Sequence, residues 1–286
     1  MTGPAPDPAG PTTDPTTARP RDQVPARPAA TVVILRDGGE GIEAFMVVRH
    51  RAIDFAAGAL VFPGGKVDPA DADGGWGVLA PVLATPPLRP GYVAAARESF
   101  EEAGLMLARR QGAPDLLSAV ETHELVDRHR AKLIAGKISF LDIVRRERLT
   151  LATDLMVPFA HWITPEGVPK RFDTHFLLVA APVNQLGAHD GSEAIEGLWI
   201  RPQQALAAAE AGARTLVFAT QMNLTKLAHH ATVADAIAAA RASPVVTVTP
   251  QVERLPGGRR RLRIPAEAGY GVSEIVVTAP PAMPSG

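Results

Sequence analysis

The sequence has no cysteine among its 286 residues, which excludes disulfides, thiolate metal sites and cysteine nucleophiles. It also lacks any run of about 18 apolar residues, the length that a membrane-spanning helix needs. Neither sign of charge is in excess, since the formal net charge is −1; this disfavours a nucleic-acid-binding protein that relies on a broad basic surface. The first residues lack the basic and then apolar pattern of a secretory signal. These absences predict a cytoplasmic protein without membrane or nucleic-acid partners.

Composition divides the chain into three parts. Residues 1–28 are rich in proline, threonine, alanine and aspartate without apolar periodicity, so we expect a disordered tail. Hydrophobic residues make up 46% of the chain, enough for a sizeable core. We place the main domain at 29–242, with insertions at 71–90 and 111–150. Residues 243–286 are predicted to form a small β extension followed by a loose C-terminus.

Local patterns predict both strands and helices. Two apolar runs on either side of a turn at 36–39 predict a β-hairpin. Residues 91–107 are predicted to form an amphipathic helix, because apolar residues recur at three- and four-residue spacing along it. Residues 71–90 are expected to be a loop. Further strands are expected at 159–163, 174–180 and 197–200, and further helices at 115–130, 139–149, 202–211 and 217–242.

The predicted helix at 91–107 carries three glutamates on one face. At 100° per residue, Glu98, Glu101 and Glu102 lie within an arc of roughly 100°. Three like charges at this spacing repel one another unless a cation lies between them. A hard divalent cation is the natural occupant, usually Mg²⁺ that also contacts substrate phosphates. The acidic face therefore predicts a metal site for phosphate chemistry, and Gly104 is placed to end the helix.

A glycine pair precedes the helix in the segment Phe62–Gly65. Because glycine has no side chain, Gly64 and Gly65 allow the backbone to approach a ligand closely. We expect them to expose backbone groups toward a metal and phosphates. The next residue, Lys66, is a candidate phosphate contact, although a solvated lysine is an equal alternative.

Gly65 and the segment Arg97–Leu105 together resemble the motif of the Nudix hydrolases, in which a glycine precedes an R-E-x-x-E-E-x-G helix. Asp71 stands where the motif has its first glutamate, and Ser99 replaces an aliphatic residue. Twenty-five residues separate Asp71 from Arg97, far more than in the plain motif. A long insertion at this point is similar to the branch that includes the peroxisomal acyl-CoA diphosphatases.

The resemblance implies an α/β/α sandwich with a mixed sheet and an added helical insert. It also implies a hydrolase that uses Mg²⁺ or Mn²⁺, with Glu98, Glu101 and Glu102 as metal ligands. Arg97 and Asp71 would then orient the carboxylates rather than bind substrate. Either Glu101 or Glu102, or a carboxylate from elsewhere in the fold, would accept the proton of the attacking water.

In Nudix proteins a further carboxylate often comes from a loop outside the motif. Glu193 is the candidate that we favour for this catalytic role, and Glu196 lies close to it in the sequence. Two histidines and an aspartate near the predicted strands receive no metal assignment. His161 is expected to be a sheet histidine, while Asp173 and His175 are as compatible with a structural role.

The substrate is predicted from the segment before the glycine pair. CoA-type Nudix enzymes carry an upstream signature, and this chain keeps its first arginine as Arg49, its glycine as Gly58 and the sequence Phe62–Gly65. Arg49 is therefore a candidate substrate-binding residue. Asp54 stands where the signature has a second arginine, which removes a cation that could meet a 3′-phosphate.

These residues predict hydrolysis of the diphosphate bond in a nucleoside diphosphate linked to another moiety, most plausibly CoA or acyl-CoA. The alternative substrates are ADP-ribose, NADH or a related dinucleotide. A different alternative is a Nudix-like sensor that binds a nucleotide without cleaving it, which the complete glutamate set disfavours. The expected partner is a small nucleotide-type molecule, and a homodimer is left open.

Overall fold

The computed structural model describes residues 24–48, 58–81, 88–182 and 197–278. Most of the tail predicted at 1–28 lies outside these ranges. Its last residues are not disordered, however, because the first strand begins at Arg27. The amide of Arg27 donates to Arg171 O at 2.9 Å, and the side chain of Arg171 donates to Val24 O at 2.9 Å. The prediction of a tail that extends to residue 28 was therefore wrong at its end.

Fourteen strands and seven α-helices lie in the described ranges. The helices and strands that the sequence predicts within these ranges follow one another in the expected order. The strands are β1 Arg27–Gly38, β2 Gly41–Val48, β3 Ala59–Val61, β4 Gly64–Lys66, β5 Ala108–Arg110, β6 Leu149–Leu151, β7 Val157–Ile163, β8 Phe172–Ala180, β9 Gly197–Ile200, β10 Thr215–Leu216, β11 Thr247–Val248, β12 Gln251–Arg254, β13 Arg259–Arg263 and β14 Glu274–Thr278. The helices are α1 Arg89–Ala103, α2 Ala119–Leu125, α3 Ala131–Ile134, α4 Phe140–Arg146, α5 Pro202–Glu210, α6 Phe218–Leu227 and α7 Val233–Ala242.

The larger sheet in the described ranges is mixed and has nine strands, in the order β10-β3-β2-β1-β8-β7-β11 with β4 paired to β1 and β9 to β2. The long strand β1 is central, since it pairs antiparallel with β2 and β4 and parallel with β8. Both faces of β1 are buried, which explains its nearly continuous apolar sequence. This strand therefore sets the position of everything that packs on either face.

Side chains alternate along β1 between two hydrophobic clusters, one on each face of the sheet. Val32 and Ile34 belong to the cluster that contains α1 and both insertions. Val33 and Leu35 belong to the cluster that contains α6, α7 and the C-terminal segment. The sheet thus lies between two helical layers, and the predicted α/β/α sandwich with a mixed sheet is confirmed.

The predicted loop at 71–90 is a packed element where the structure describes it. Two 3-10 turns, Pro69–Ala72 and Gly74–Leu79, replace the loop. Trp76 is only 1% exposed, its indole N–H donates to Ala70 O at 2.9 Å, and its ring lies 5.8 Å from that of Phe140 in α4. The two insertions therefore pack on each other as well as on the sandwich.

The second insertion is helical, although its helices are shorter than predicted. The helix expected at 115–130 is α2 followed by a π-helical turn, Val126–Arg130, and then α3. Ser118 and Ser139 begin α2 and α4, because each side chain accepts a hydrogen bond from a backbone N–H of the first turn.

The C-terminal segment forms a small antiparallel sheet of β12, β13 and β14, as predicted. It is attached to the sandwich through Tyr270, whose hydroxyl accepts from Trp162 Nε1 at 2.9 Å and donates to Asn223 Oδ1 at 3.0 Å. Strand β11 joins the edge of the main sheet next to β7. Among the described helices, none is both long enough and apolar enough to cross a membrane.

Replacing Trp76 by alanine tests whether the first insertion belongs to the core. We expect the free energy of unfolding to fall by about 3–5 kcal/mol, because a fully buried indole leaves a cavity. Val78 lies in the same segment and is 87% exposed, so Val78→Ala is the matched control with an effect below about 0.5 kcal/mol. Chemical denaturation would measure both, and equal effects would show that the insertion does not pack on the domain in solution.

Candidate active site

Helix α1 carries the glutamates and is anchored at both ends. It is buried along most of its length, with Val93 and Phe100 fully enclosed against the sheet. It ends at Ala103 rather than at 107, at the glycine that the sequence analysis identified as a helix end, because Gly104 adopts a left-handed conformation with φ 65° and ψ 16°. A hydrogen bond also joins Ser99 to the residues after the helix, since its hydroxyl donates to Leu105 O at 3.1 Å. The serine that departs from the motif thus has a structural partner.

Arg97 lies at the centre of the acidic cluster. Its Nε donates to Asp71 Oδ1 at 3.1 Å and its Nη2 to Asp71 Oδ2 at 3.0 Å, a paired contact buried from solvent. Its Nη1 donates to Glu98 Oε1 at 2.8 Å and Glu101 Oε2 at 3.1 Å. The remaining donor contacts Lys66 O at 2.9 Å. Arg97 therefore connects β4, which contains the glycine pair, with the first insertion and α1.

The charges in this cluster do not balance. Burial alone would lower the pKa of Arg97, but its hydrogen bonds to Asp71 and the charges of Asp71, Glu98 and Glu101 raise it above the usual range. One guanidinium is thus shared by three carboxylates, and Asp68 lies 3.7 Å away as a fourth. The cluster has an excess of negative charge, which a cation would offset.

Glu98 shows the effect of burial and, to a smaller extent, of its charged neighbours. Its pKa is raised to about 7, chiefly by burial; Arg97 acts in the opposite direction, and the charges of Glu102 and Glu101 add to the rise. Burial also raises the pKa of Glu101. The buried carboxylate of Glu98 is therefore protonated more readily than that of an exposed glutamate.

The glycine pair lies against β1 and contacts two of the glutamates. Gly64 and Gly65 lie in β4 opposite Thr31 and Ala30 of β1. A Cβ atom on Gly65 would overlap Glu98 Oε1, and one on Gly64 would lie 2.7 Å from Ala30 O. The amide of Gly64 donates to Glu102 Oε2 at 3.0 Å. We predicted that this backbone would face a ligand; the structure instead places the Gly64 amide on a glutamate.

Two cavities meet beside these residues. The first has a volume of about 410 Å³, and Glu98 and Lys66 lie in its wall together with Asp68. The second has a volume of about 280 Å³ and a mostly apolar wall that includes Phe172 and Phe218. Four residues line both cavities: Thr31, Gly64, Phe172 and Thr174. A polar region next to glutamates thus continues into an apolar region.

The sequence analysis missed several residues of this region. Arg130, in the π-helical turn of the second insertion, donates from Nε to Glu101 O at 2.8 Å. Burial lowers its pKa, while the charges of Glu101 and Glu102 act in the opposite direction. No spacing rule links Arg130 to a helix 29 residues earlier. Phe172 and Phe218 were missed for the same reason, because tertiary contacts bring them to the cavity.

Two predicted site residues, Arg49 and Glu193, lie outside the described residues. All the others are brought together: Gly64, Gly65 and Lys66 in β4, Asp71 in a 3-10 turn, and Arg97, Glu98, Glu101 and Glu102 on α1. The predicted contact between Arg97 and Asp71 is present. Their functional roles stay predictions.

The donor set suits a hard divalent cation, because carboxylate oxygens are the ligands that Mg²⁺ and Mn²⁺ prefer. Because Gly65 has no Cβ, the carboxylate of Glu98 can lie directly against this backbone. The excess negative charge of the cluster is the second requirement, and the charges of Glu101 and Glu102 contribute to the raised pKa of Glu98. Arg97 binds one oxygen of Glu98 and one of Glu101, and each carboxylate has a second oxygen with which it could bind a cation.

No family model matches the chain, whereas individual proteins do. The chain is 28% identical to the acyl-coenzyme A diphosphatase NUDT19 of Gallus gallus, over 57% of this chain and 55% of that protein. It is 23% identical to the Xenopus laevis protein of the same name, over 57% of this chain and 54% of that protein. The chain thus spans about half the length of the curated relatives it matches.

A solved structure agrees with these relatives. The Nudix hydrolase of Alicyclobacillus acidocaldarius is 27% identical, with a TM-score of 0.57 over 75% of this chain and 96% of that one. Together the comparisons confirm the predicted resemblance to the Nudix hydrolases, in sequence and in fold. They also support the prediction that the chain is an enzyme of this hydrolase class.

Replacing Glu98 by glutamine tests the raised pKa of its buried carboxylate without any substrate. A carboxylate whose pKa is raised from 4.5 to about 7 by folding stabilises the folded state at low pH. It loses this effect as the pH rises through that range. In chelator, Glu98→Gln should therefore raise the melting temperature at pH 8 by several degrees relative to wild type, with a smaller gain at pH 5. The upper limit is about 3 kcal/mol.

Calorimetry at the two pH values would measure the difference. Exposed Glu210, at the end of α5, provides the control Glu210→Gln, which should leave the melting temperature unchanged at both. An identical shift for Glu98→Gln at pH 5 and pH 8 would contradict the raised pKa of Glu98.

Proposed function

We propose that this protein hydrolyses the diphosphate bond of a nucleoside diphosphate linked to another moiety, with the help of a divalent metal ion. CoA or acyl-CoA is the substrate that we favour. The observation that carries the proposal is the buried carboxylate of Glu98 in the wall of a cavity of about 410 Å³ that continues into an apolar one. A charged group and an apolar group on one substrate would match these two regions.

Glu98, Glu101 and Glu102 would hold Mg²⁺ or Mn²⁺. When bound, the ion screens the negative charge of the diphosphate and favours attack on phosphorus. Arg97, held by Asp71, keeps the side chains of Glu98 and Glu101 on one side of α1. Gly64 holds Glu102 through its amide. These contacts preorganise the carboxylates, so that less reorganisation is needed when the cation and substrate bind.

Hydrolysis adds one water molecule across the diphosphate. The water oxygen bonds to one phosphorus atom, the bridging P–O bond breaks, and the second phosphate leaves. A carboxylate must accept the proton that the water loses. Glu101, Glu102 or Glu193 would take this role. Lys66, in the wall of the same cavity, and Arg49 would contribute positive charge to substrate binding.

The apolar cavity supports a substrate with a bulky apolar arm. Its wall contains the aromatic rings of Trp162, Phe172 and Phe218, and Trp162 and Phe218 contact each other edge to face at 5.7 Å. An acyl chain or the pantetheine arm would bury apolar surface there. The names of the relatives from Gallus gallus and Xenopus laevis also favour acyl-CoA. Adenine could stack on the same rings, which keeps ADP-ribose and NADH as the second candidates.

We further propose that the predicted domain at 29–242, extended to include the start of β1 at Arg27, is the catalytic domain and that 243–286 are an extension to it. The contact of Tyr270 with Trp162 gives this extension a role in supporting the apolar cavity, because Trp162 lies in the cavity wall. A cytoplasmic location and a homodimer stay predictions.

Glutamine variants of the glutamates test the catalytic proposal. With Mg²⁺ present, Glu101→Gln and Glu102→Gln should each lower kcat by about 10²-fold or more, because each loses a metal ligand or the proton acceptor. Chelator should abolish turnover of the wild type while circular dichroism shows an intact fold. Exposed Glu124 in α2 supplies the control Glu124→Gln. Near-wild-type rates in both active-site variants would place the catalytic centre elsewhere.

A substrate panel tests the substrate class separately. CoA and acyl-CoA should yield 3′,5′-ADP and, respectively, 4′-phosphopantetheine and its acylated form, identified by mass spectrometry. Rapid release of AMP from ADP-ribose or NADH, with CoA untouched, would replace the CoA proposal and keep the diphosphatase. Binding without any cleavage would instead favour the sensor.

A cavity-filling variant tests whether the acyl arm of the substrate binds in the apolar cavity. Ala219 lies in the wall of the apolar cavity, and Ala219→Phe would occupy part of that volume. If the acyl arm binds there, the variant should raise the KM for a long-chain acyl-CoA more than the KM for CoA. Equal KM changes for the two substrates would place the acyl arm elsewhere.

A further inference from the structure

Three potential metal ligands lie close together on β7 and β8, apart from the glutamates. Asp173 and His175 are two residues apart on β8, so their side chains point to the same face of the sheet. His161 of β7 is the cross-strand partner of His175 and shares that face. One ligand atom from each of the three residues lies within 4.8 Å of the others.

Hydrogen bonds and stacking orient these side chains. His161 Nε2 lies 2.5 Å from Asp173 Oδ1. On the other side of the ring, His161 Nδ1 lies 2.8 Å from Thr247 Oγ1 of β11. The rings of His161 and His175 are parallel within 4°, with centroids 4.0 Å apart. Residues of β8 and β11 thus contact both nitrogens of the His161 ring on β7, and the ring of His175 stacks on it.

The hydroxyl of Thr247 can either accept from Nδ1 or donate to it, so both tautomers of His161 fit these contacts. In the tautomer in which Nδ1–H donates to Thr247 Oγ1, the lone pair of Nε2 points toward Asp173. A metal ion could then bind to both atoms, in the place of the proton that otherwise joins Nε2 to the carboxylate. A hydrogen-bonded outer partner on the far nitrogen is also the usual arrangement of a metal-bound histidine.

We propose that His161, Asp173 and His175 form a binding site for a divalent transition-metal ion of the Zn²⁺ type, distinct from the glutamate site. Two imidazoles and one carboxylate are a common ligand set for Zn²⁺, with water in the fourth position. Such ligands lie roughly 3.3 Å apart around Zn²⁺, given bonds of about 2.0–2.1 Å. The three ligand atoms lie within 4.8 Å of one another, and the two imidazole rings are stacked, so binding requires side-chain rotations that turn the ligand atoms toward one point. The side chain of Asp173 is 38% exposed, so solvent and ions reach the site.

The proposed site lies behind the substrate cavities. Residues alternate along β8, so that Phe172 and Thr174 face the cavities while Asp173 and His175 face the other side. On β7, Trp162 faces the apolar cavity next to His161 in the sequence. An ion that joins β7 to β8 on one face would therefore fix the strands that shape the cavities on the other. The site has a structural role in this view and takes no part in the hydrolysis.

Metal binding to the full-length protein tests the proposal. Excess Mg²⁺ is kept in all samples to occupy the oxygen-rich glutamate site, and Zn²⁺ affinity is measured by competition with a chromophoric chelator. We expect one Zn²⁺ per chain. His161→Ala or His175→Ala should weaken its binding by at least about 100-fold, and Thr247→Val by about 10–100-fold through loss of the outer contact. Replacement of Zn²⁺ by Co²⁺ should give the intense visible absorption of a four-coordinate site with nitrogen ligands.

The controls separate this result from folding defects and from the glutamate site. His123→Ala removes a histidine that is 55% exposed in the second insertion and should leave Zn²⁺ affinity unchanged. Asp173→Asn removes a single charge at a partly exposed position and should weaken binding by at least about tenfold. Near-ultraviolet circular dichroism verifies that each variant is folded.

Two outcomes would overturn the proposal. One is equal Zn²⁺ affinity in wild type and the folded Asp173→Asn and His161→Ala variants. The other is the absence of any Zn²⁺ binding once Mg²⁺ is present. Neither outcome bears on the diphosphatase, because the glutamate site is tested by turnover with Mg²⁺.

Discussion

The buried guanidinium of Arg97 is the interaction on which the candidate active site depends. It contacts Asp71, Glu98 and Glu101 at 2.8–3.1 Å, and these residues come from two separate segments of the chain. Removing one partner of a buried ion pair leaves an uncompensated charge, which is strongly destabilising. The position of the first insertion relative to α1 and the orientation of two glutamates are therefore tied to this one side chain.

The balance of charge around Arg97 also explains why the site is suited to bind a cation. A single guanidinium cannot neutralise the carboxylates that share it, and burial, together with the charges of Glu102 and Glu101, raises the pKa of Glu98. The folded protein supports this arrangement because the cores on both faces of the sheet are extensive. Packing of these two cores thus offsets the electrostatic cost of clustering carboxylates around one guanidinium.

The two faces of the central sheet carry different candidate sites. Along β8, residues on one face line the two cavities, and residues on the other face belong to the His161–Asp173–His175 cluster. Helix α1 and the insertions cover one face, and α6, α7 and the C-terminal segment cover the other. A change on one face of a strand can therefore alter the opposite face through the backbone, without any direct side-chain contact.

Local signals in the sequence were sufficient for much of the architecture. Apolar periodicity located β1, β2, β7, β8 and α1 to within a few residues, since packed elements must bury a regular face. Ser139 and Gly104 marked helix ends because capping is a local interaction. Spacing alone also placed Glu98, Glu101 and Glu102 on one face, because helix geometry relates residues three and four apart.

Long-range contacts decided the rest. The segment at 71–90 looks like a loop in the sequence because glycine and proline interrupt it, yet Trp76 packs into the core. Arg130 approaches Glu101 only through the path of the second insertion, and Phe172 and Phe218 meet at one cavity from distant segments. His161 and His175 become neighbours only through the register of β7 and β8. The sequence by itself determined the helix and strand pattern and the acidic motif, whereas the tertiary structure decided which distant residues complete the sites, because pairing register and packing depend on the whole fold.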